Sequence, residues 1–222
     1  MLELGSTFGP YRLESVLGRG GMGMVYEATQ LSLDRVVALK VVAPGLSADQ
    51  AFRARFRREG PMQARIDHPH VVPVYEAGEH EGHLFIAMRL VRGQNLKELI
   101  VARELDPRRT LAVLRDVADA LATAHESNVI HRDVKPSNIL VGRRDQAFLC
   151  DFGLGKEPGA GTGSFTKTGH VVGTLDYIAP EQIHGKPATR RSDVYAFGAV
   201  LFECLTGRVP YERVAPPSMS GI

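Results

Sequence analysis

The chain has 222 residues, 44% of them hydrophobic and 23% charged, which is the composition of a globular protein able to bury a sizeable core. Its 27 Lys and Arg residues nearly balance its 25 Asp and Glu residues, leaving a formal net charge of +2. So small a charge argues against recognition of nucleic acid or of an anionic membrane through the overall field, and partners have to be inferred from local sites.

Three further features bear on the compartment. Met1–Gly5 contains no basic segment followed by an apolar one, so we expect no secretory signal. The longest apolar stretch, Val194–Leu205, is interrupted by Glu203 and is shorter than the ~20 residues that span a bilayer. Cys150 and Cys204 match no metal-binding spacing. We therefore expect a cytoplasmic protein with two reduced thiols and no membrane segment in this chain.

Five apolar or alternating segments in the first part of the chain predict an antiparallel sheet; they are residues 11–18, 25–29, 35–42, 71–77 and 84–91. A helix is predicted after the third, because Ser47 and Gln50 have capping-box spacing and apolar residues recur from Phe52 at the helical period. Glu59 lies on that apolar stripe. Pro61 removes a backbone N–H at a cost of ~3 kcal/mol, so we expect a kink near it that could shift Glu59.

The rest of the chain is predicted to be mainly helical. Asp106 as N-cap and Pro107 at the first position begin a helix whose apolar face includes Leu111, Leu114 and Leu121. A buried helix is predicted over residues 192–206, with Gly207 ending it. Residues 154–170 and 214–222 have no periodicity and predict a mobile loop and a disordered tail.

Two neighbouring motifs indicate phosphoryl transfer. Residues 131–138 are His-Arg-Asp-Val-Lys-Pro-Ser-Asn, and Asp-Phe-Gly follows at 151–153. The reaction needs a carboxylate that orients the attacking hydroxyl, cations that neutralise the phosphates and oxygen ligands for Mg²⁺. Asp133 supplies the first, Lys135 the second, and Asn138 with Asp151 the third.

A glycine-rich motif precedes them. Residues 18–25 fit G-x-G-x-x-G-x-V, in which missing side chains let backbone N–H groups approach phosphates. Alone, the motif is weak evidence for a nucleotide site, because many glycine-rich turns are only hairpins. The next strand ends in Val-Ala-Leu-Lys at 37–40, and Lys40 in that position favours a nucleotide site.

The order and spacing of these motifs resemble those of eukaryotic-like serine/threonine protein kinases of the bacterial type, over residues 11–211. The resemblance implies an α+β, two-lobed protein-kinase-like fold. Residues 1–91 would form the small lobe, an antiparallel five-stranded sheet with one helix. Residues 92–213 would form a mainly helical lobe, incomplete at its C-terminal end, with residues 214–222 as a tail.

The resemblance also implies roles for individual residues. Asp133 would position the acceptor hydroxyl, Lys135 and Lys40 would stabilise phosphate charge, and Glu59 would pair with Lys40. The alternative for Glu59 is a partly exposed carboxylate near Arg55 or Arg58.

The cofactors implied are ATP and Mg²⁺ or Mn²⁺. Asn138 and Asp151 would bind the metal. The nucleotide would contact Lys40 and a set from the upper sheet and the hinge: Leu17, Gly18, Gly20, Gly21, Gly23, Val25, Ala38, Met88 and Leu90.

Lys135 and the Ala-Pro-Glu segment ending at Glu181 resemble kinases whose acceptors are Ser or Thr hydroxyls of proteins. Arg132 would bind a phosphate on the activation loop, where Thr166 or Thr168 is expected to be autophosphorylated, with self-association a possible route. The arginine that pairs with Glu181 in the family is expected to be missing, which would leave this carboxylate solvated or unpaired. Asp193 would join the catalytic loop to the long helix.

Two other hypotheses remain open. A catalytically silent module that binds nucleotide or proteins is favoured by the incomplete helical lobe, which would also expose Phe197, Leu201 and Leu205. A small-molecule phosphotransferase is disfavoured by Lys135 and the Ala-Pro-Glu segment. The intact set of catalytic residues favours the kinase.

Overall fold

The computed structural model describes residues 2–153 and 175–211, so Met1 and the ranges 154–174 and 212–222 are outside the described residues. The expectations for the loop at 154–170, for Thr166 and Thr168, and for the tail at 214–222 concern that undescribed part.

Six strands form one antiparallel sheet in the order β1-β2-β3-β4-β6-β5. They are β1 (Thr7–Phe8), β2 (Tyr11–Gly20), β3 (Gly23–Gln30), β4 (Arg35–Val42), β5 (Val74–His80) and β6 (His83–Arg89). The five predicted strands are confirmed, with shifts of a few residues at their ends. Strand β1 was not predicted, because two residues are too few to show an alternating pattern.

Two helices follow β4, where one was expected. They are α1 (Pro44–Ala48) and α2 (Gln50–Gln63). The predicted cap was wrong: Asp49 caps α2, its carboxylate accepting a hydrogen bond from the Phe52 N–H at 2.8 Å. The Ser47 hydroxyl is buried and instead accepts from the Leu84 N–H at 3.3 Å, which ties α1 to the sheet. Helix α2 continues through Pro61 to its end at Gln63.

The second half is mainly helical, as expected. Its helices are α3 (Leu96–Ala102), α4 (Pro107–Glu126), α5 (Pro180–Ile183) and α6 (Arg190–Thr206). Asp106 caps α4 as predicted, accepting from the Arg109 N–H at 2.9 Å, and Gly207 ends α6 with a φ of +73°. A small antiparallel sheet of β7 (Gln94–Asn95), β8 (Ile139–Val141) and β9 (Ala147–Leu149) lies beside these helices.

The core of this half packs α4 against α6 and the small sheet. Leu111 was expected on the buried face of α4 but is 61% exposed; Val113 is buried instead. Leu205 is exposed as expected, whereas Phe197 and Leu201 pack partly buried against the core, which corrects that expectation. Within residues 2–153 and 175–211, no helix has the length and apolarity to cross a membrane.

The link between the two sheets leaves no room for a side chain at Gly93. A Cβ there would lie 2.0 Å from the backbone oxygen of Val141, well inside van der Waals contact. We expect Gly93→Ala to destabilise the protein by roughly 1–3 kcal/mol, because the backbone has to move. Gly45→Ala is the matched control, since a Cβ at Gly45 meets nothing within 4 Å. Equal urea midpoints for the two variants would contradict this packing argument.

Candidate active site

Asp193, in the first turn of α6, stabilises the loop that carries the predicted catalytic residues. Its side chain is 1% exposed. Oδ2 accepts from the His131 backbone N–H and Oδ1 from the Arg132 backbone N–H, each at 2.8 Å. His125, in the last turn of α4, donates to Oδ2 from Nε2 at 2.8 Å. The expected link between the catalytic loop and the long helix is confirmed, and His125 was missed because nothing in its local sequence marks it.

His131 connects this loop to the Asp-Phe-Gly segment. Its Nδ1 accepts from the Asp133 backbone N–H at 3.2 Å, so the ring proton is on Nε2, which donates to the Cys150 carbonyl at 3.0 Å. The ring centroid lies 4.5 Å from that of Phe152. Burial lowers the pKa of His131, which fits a neutral ring with one donor and one acceptor.

Asp133, Lys135 and Asn138 come together as predicted from the sequence. Lys135 Nζ lies 2.8 Å from Asp133 Oδ2. Asn138 Nδ2 donates to the same oxygen at 3.2 Å and to the Asp133 carbonyl at 2.8 Å. Asp133 is largely buried, so the ammonium and the amide fix the direction of its carboxylate.

Lys40 contacts Asp151 across the junction of the two sheets. Its Nζ lies 2.7 Å from Asp151 Oδ2, and its side chain is 12% exposed. Burial lowers the pKa of Lys40, but the Asp151 carboxylate, helped by Cys150 and Asp133, outweighs burial and the pKa lies above its ordinary value. Asp151 has a φ of +60°, in the left-handed region that non-glycine residues seldom adopt. Such backbone strain occurs often at functional sites.

The expected ion pair between Lys40 and Glu59 is not present. Glu59 Oε1 lies 2.7 Å from Arg132 Nη1 and 3.1 Å from Arg58 Nη2. The partly buried carboxylate needs a cation, and Arg132 of the catalytic loop reaches it while Asp151 takes Lys40. The alternative that placed Glu59 near Arg58 is thus half correct, and Arg132 is the partner that the sequence did not indicate.

Double-mutant cycles can measure this exchange of partners. In nucleotide-free protein we expect Glu59→Gln and Arg132→Gln to couple by about 1 kcal/mol in unfolding free energy, because the pair is partly buried. Glu59→Gln and Lys40→Met should couple by roughly zero under the same conditions. A coupling of Glu59 to Lys40 that exceeds its coupling to Arg132 would refute the arrangement.

The predicted nucleotide contacts lie on the strands next to Lys40. Gly18 pairs with Val25 and Gly20 with Gly23, so the glycine-rich motif is the β2–β3 hairpin, and Gly21 lies in its turn. Ala38 pairs with Met88 on the neighbouring strand. Val25, Ala38, Met88 and Leu90 belong to one apolar cluster with Cys150, whereas Leu17 is 46% exposed on β2. Leu140 of β8 also joins this cluster; it was missed because only the paired strands bring it there.

The donors expected for a metal are an amide oxygen and a carboxylate, which suit Mg²⁺. The Cys150 N–H donates to the Asn138 carbonyl at 3.0 Å, so Asn138 and Asp151 lie on adjoining backbone segments. Among the described residues there is no group of three or more His, Cys, Asp or Glu that could hold a metal ion without further ligands. The amide oxygen of Asn138 and the carboxylate of Asp151 are oxygen donors of the kind that Mg²⁺ binds.

Two carboxylates in helices α5 and α6 have partners that the sequence did not reveal. Glu203 of α6 is buried, and its Oε2 accepts from the Tyr177 hydroxyl while Oε1 lies 2.5 Å from Lys97 Nζ. Glu181 was expected to be solvated or unpaired, but its Oε1 accepts from the Ser192 hydroxyl at 2.5 Å. That hydrogen bond is the main reason why the pKa of Glu181 lies below its ordinary value.

The buried His131 gives a stability that depends on pH. Its pKa is lowered on folding, so the unfolded chain takes up this proton at higher pH than the folded chain. The contribution of neutral His131 is complete above about pH 6.5 and is lost as the pH falls below it, by at most ~1.4 kcal/mol per pH unit. We expect the unfolding free energies of wild type and His131→Phe to converge between about pH 7 and pH 5. A gap that does not change with pH would contradict this.

Comparison with known proteins agrees with this arrangement. A family model described as protein kinase domain matches residues 11–219. Serine/threonine-protein kinase PknD of Mycobacterium tuberculosis is 47% identical over 210 residues, which cover 94% of this chain and 31% of PknD. PknE of the same organism is 46% identical over 209 residues, 94% of this chain and 37% of PknE. The solved kinase domain of M. tuberculosis PknI has a TM-score of 0.79 at 33% identity, covering 97% of this chain and 80% of that one.

The chain spans about a third of the length of PknD and PknE. The family match nevertheless covers nearly the whole chain and includes strands β2 to β9, the catalytic loop and helix α6 described above. The structural match to PknI supports the two-part fold of a curled sheet and a helical region. This chain belongs to the protein kinase domain family.

Proposed function

We propose that the chain transfers the γ-phosphoryl group of MgATP to Ser or Thr hydroxyls of proteins. The observation that supports this most is the position of Asp133, whose carboxylate is oriented by Lys135 and Asn138 next to the Lys40–Asp151 pair. Relatives at 47% and 46% identity are named serine/threonine-protein kinases. Substrates, activity and partners of the whole protein are part of this proposal.

Each polar side chain of the site is placed for one role in phosphoryl transfer. Asp133 accepts the hydrogen bond of the incoming hydroxyl and orients it toward the phosphoryl group. Lys135, on the same carboxylate, is a cation beside the transferred group, and Lys40 is the cation for the nucleotide phosphates. Asn138 and Asp151 would bind Mg²⁺ or Mn²⁺, which neutralises charge on the phosphates when bound. Glu59 supports Lys40 only if it leaves Arg132.

ATP is proposed to bind between the β2–β3 hairpin and the apolar cluster. The adenine would lie among Val25, Ala38, Met88 and Leu90, which pack in one cluster. Backbone N–H groups of the glycine-rich hairpin would contact the phosphates. We further propose residues 1–91 and 92–213 as the two lobes, with the nucleotide at their junction.

The acceptors are proposed to be proteins, the chain itself included. Thr166 and Thr168 are the proposed sites of autophosphorylation, with self-association as the route and Arg132 as the cation for the phosphate. Nucleic acid is not expected as a partner, because the net charge is only +2. We propose that the chain works in the cytoplasm.

Intact mass after incubation with ATP and Mg²⁺ tests this function. We expect added phosphate on the wild type, mapping to Thr166 or Thr168, and phosphate on a Ser/Thr peptide in the same reaction. Asp133→Asn, folded and able to bind ATP, should add none. Equal phosphate on both proteins, or none on a folded wild type, would reject the kinase proposal.

A nucleotide-binding module without catalysis is the second candidate. It is favoured by the two ion pairs, since Lys40 is bound by Asp151 and Glu59 by Arg132 in the described structure. ATP binding without any phosphate transfer in the same experiment would support this candidate.

A further inference from the structure

The first turn of α6 contains two consecutive buried side chains that bond to different parts of the active site. Asp193 accepts from the backbone of the catalytic loop, at His131 and Arg132. Ser192 bonds instead to α5, the helix that follows Leu175–Ala179. The distance between the catalytic loop and α5 therefore depends on the first turn of α6, which bonds to both.

The Ser192 hydroxyl has its full set of partners. It is 1% exposed, it donates its single proton to Glu181 Oε1 at 2.5 Å, and it accepts from the Thr189 N–H at 2.9 Å and from the Thr189 hydroxyl at 3.4 Å. A hydroxyl has one donor, so no other residue shares this proton. The acceptor is an ionised carboxylate, which makes the bond stronger than one between neutral groups.

A narrow cleft lies between the catalytic loop and the residues around α5. Its lining includes Arg132, Asp133 and Val134 of the catalytic loop, together with Tyr177, Gln182, Ser192 and Asp193. A change in the Ser192–Glu181 bond therefore alters the part of the lining that comes from Tyr177 and Gln182, while Asp193 keeps the catalytic loop in place.

We infer that Ser192 is a positioning residue for the protein acceptor: through Glu181 it fixes α5 and the residues before it relative to Asp133. This inference rests on the proposed kinase function. The hydrogen bonds of Ser192 join it to Thr189 and Glu181 and not to Lys40 or Asp151 of the described structure. Loss of its hydroxyl should therefore weaken binding of the protein acceptor and leave binding of ATP unchanged.

Steady-state kinetics of Ser192→Ala and Ser192→Thr test the inference. We expect Ser192→Ala to raise KM for a Ser/Thr peptide about tenfold, the size of a lost hydrogen bond to a charged group. KM for ATP and the rate of ATP hydrolysis without peptide should stay within about twofold, because the nucleotide side is unchanged. Ser192→Thr keeps the hydroxyl and should restore the peptide KM.

Ser47→Ala is the matched control. Ser47 is also buried and hydrogen-bonded, but it lies between α1 and β6, away from α5. It should lower the unfolding temperature without changing the peptide KM. If Ser192→Ala raises both KM values equally, or if Ser47→Ala raises the peptide KM as much, Ser192 has only a general structural role and the inference is wrong.

Hydrogen exchange separates this inference from the kinase proposal. Ser192→Ala should change the exchange of amides in residues 177–183 and leave residues 131–133 as in the wild type. Ser192→Thr, which keeps the hydroxyl, is the reference and should exchange as the wild type does in both ranges. This readout needs no phosphate transfer, so it decides the role of Ser192 even if the wild type proves inactive. Unchanged exchange at 177–183 in Ser192→Ala would overturn the inference, as would a failure of Glu181→Leu to produce the same change.

Discussion

Asp133→Asn is expected to lower kcat for peptide phosphorylation about 10²–10⁴-fold, the range typical for loss of a catalytic acid or base. The amide has nearly the shape of the carboxylate, but it carries no charge and cannot take the hydroxyl proton. MgATP affinity should stay within about twofold, because the residues proposed to contact nucleotide are unchanged. Initial rates with a Ser/Thr peptide and calorimetric titration with MgATP measure the two effects.

The control for this variant is Asp145→Asn, a half-exposed carboxylate that is paired with Arg109 of α4. It should leave kcat within about twofold, since surface pairs contribute little. Two results would contradict the proposed role of Asp133: a kcat within tenfold of the wild type, or a loss of ATP binding that accompanies the loss of transfer.

Asp193→Asn is expected to reduce the unfolding free energy by about 3–5 kcal/mol, the usual cost of breaking a buried charged network. Three donors converge on this carboxylate, two of them backbone N–H groups and the third His125 Nε2. An amide has one oxygen, and its NH₂ group would face one of those donors. Urea unfolding followed by fluorescence or circular dichroism measures the loss.

Asp119→Asn serves as the control, because Asp119 lies on the neighbouring helix α4 with its side chain 69% exposed and contacts His68 at 3.3 Å. We expect its unfolding free energy to change by less than ~0.5 kcal/mol. If Asp193→Asn is as stable as Asp119→Asn, the three hydrogen bonds do not support the catalytic loop. Asp133→Asn should cost less stability than Asp193→Asn, because the Lys135 ammonium beside it is partly exposed and can be solvated, which separates a chemical role from a structural one.

Much of the site was accessible to sequence reasoning because its residues are close along the chain. Asp133, Lys135 and Asn138 lie within six residues, and their mutual contacts follow from one short loop. The five strands followed from alternating hydrophobicity, and Asp106 was found from capping chemistry. Local preferences of this kind are encoded within a few residues, so they can be recognised without knowledge of the rest of the fold.

Contacts between distant segments were not accessible in the same way. Glu59 was expected at Lys40 but pairs with Arg132, 73 residues away, and Ser192 bonds to Glu181 eleven residues before it. The capping prediction failed at Ser47 for the same reason, since its hydroxyl bonds to Leu84 on another element. Each of these groups has several suitable partners in the sequence, and only the packing of the elements decides which one lies within reach.

The sequence by itself therefore determined the family, the fold class and the set of chemical groups, because motif order, periodicity and caps depend on neighbours along the chain. The tertiary structure decided the pairing of charges: Lys40 with Asp151, Glu59 with Arg132, Glu203 with Lys97 and Tyr177. Ion pairs and buried hydrogen bonds form at distances of about 3 Å, which only the assembled elements set.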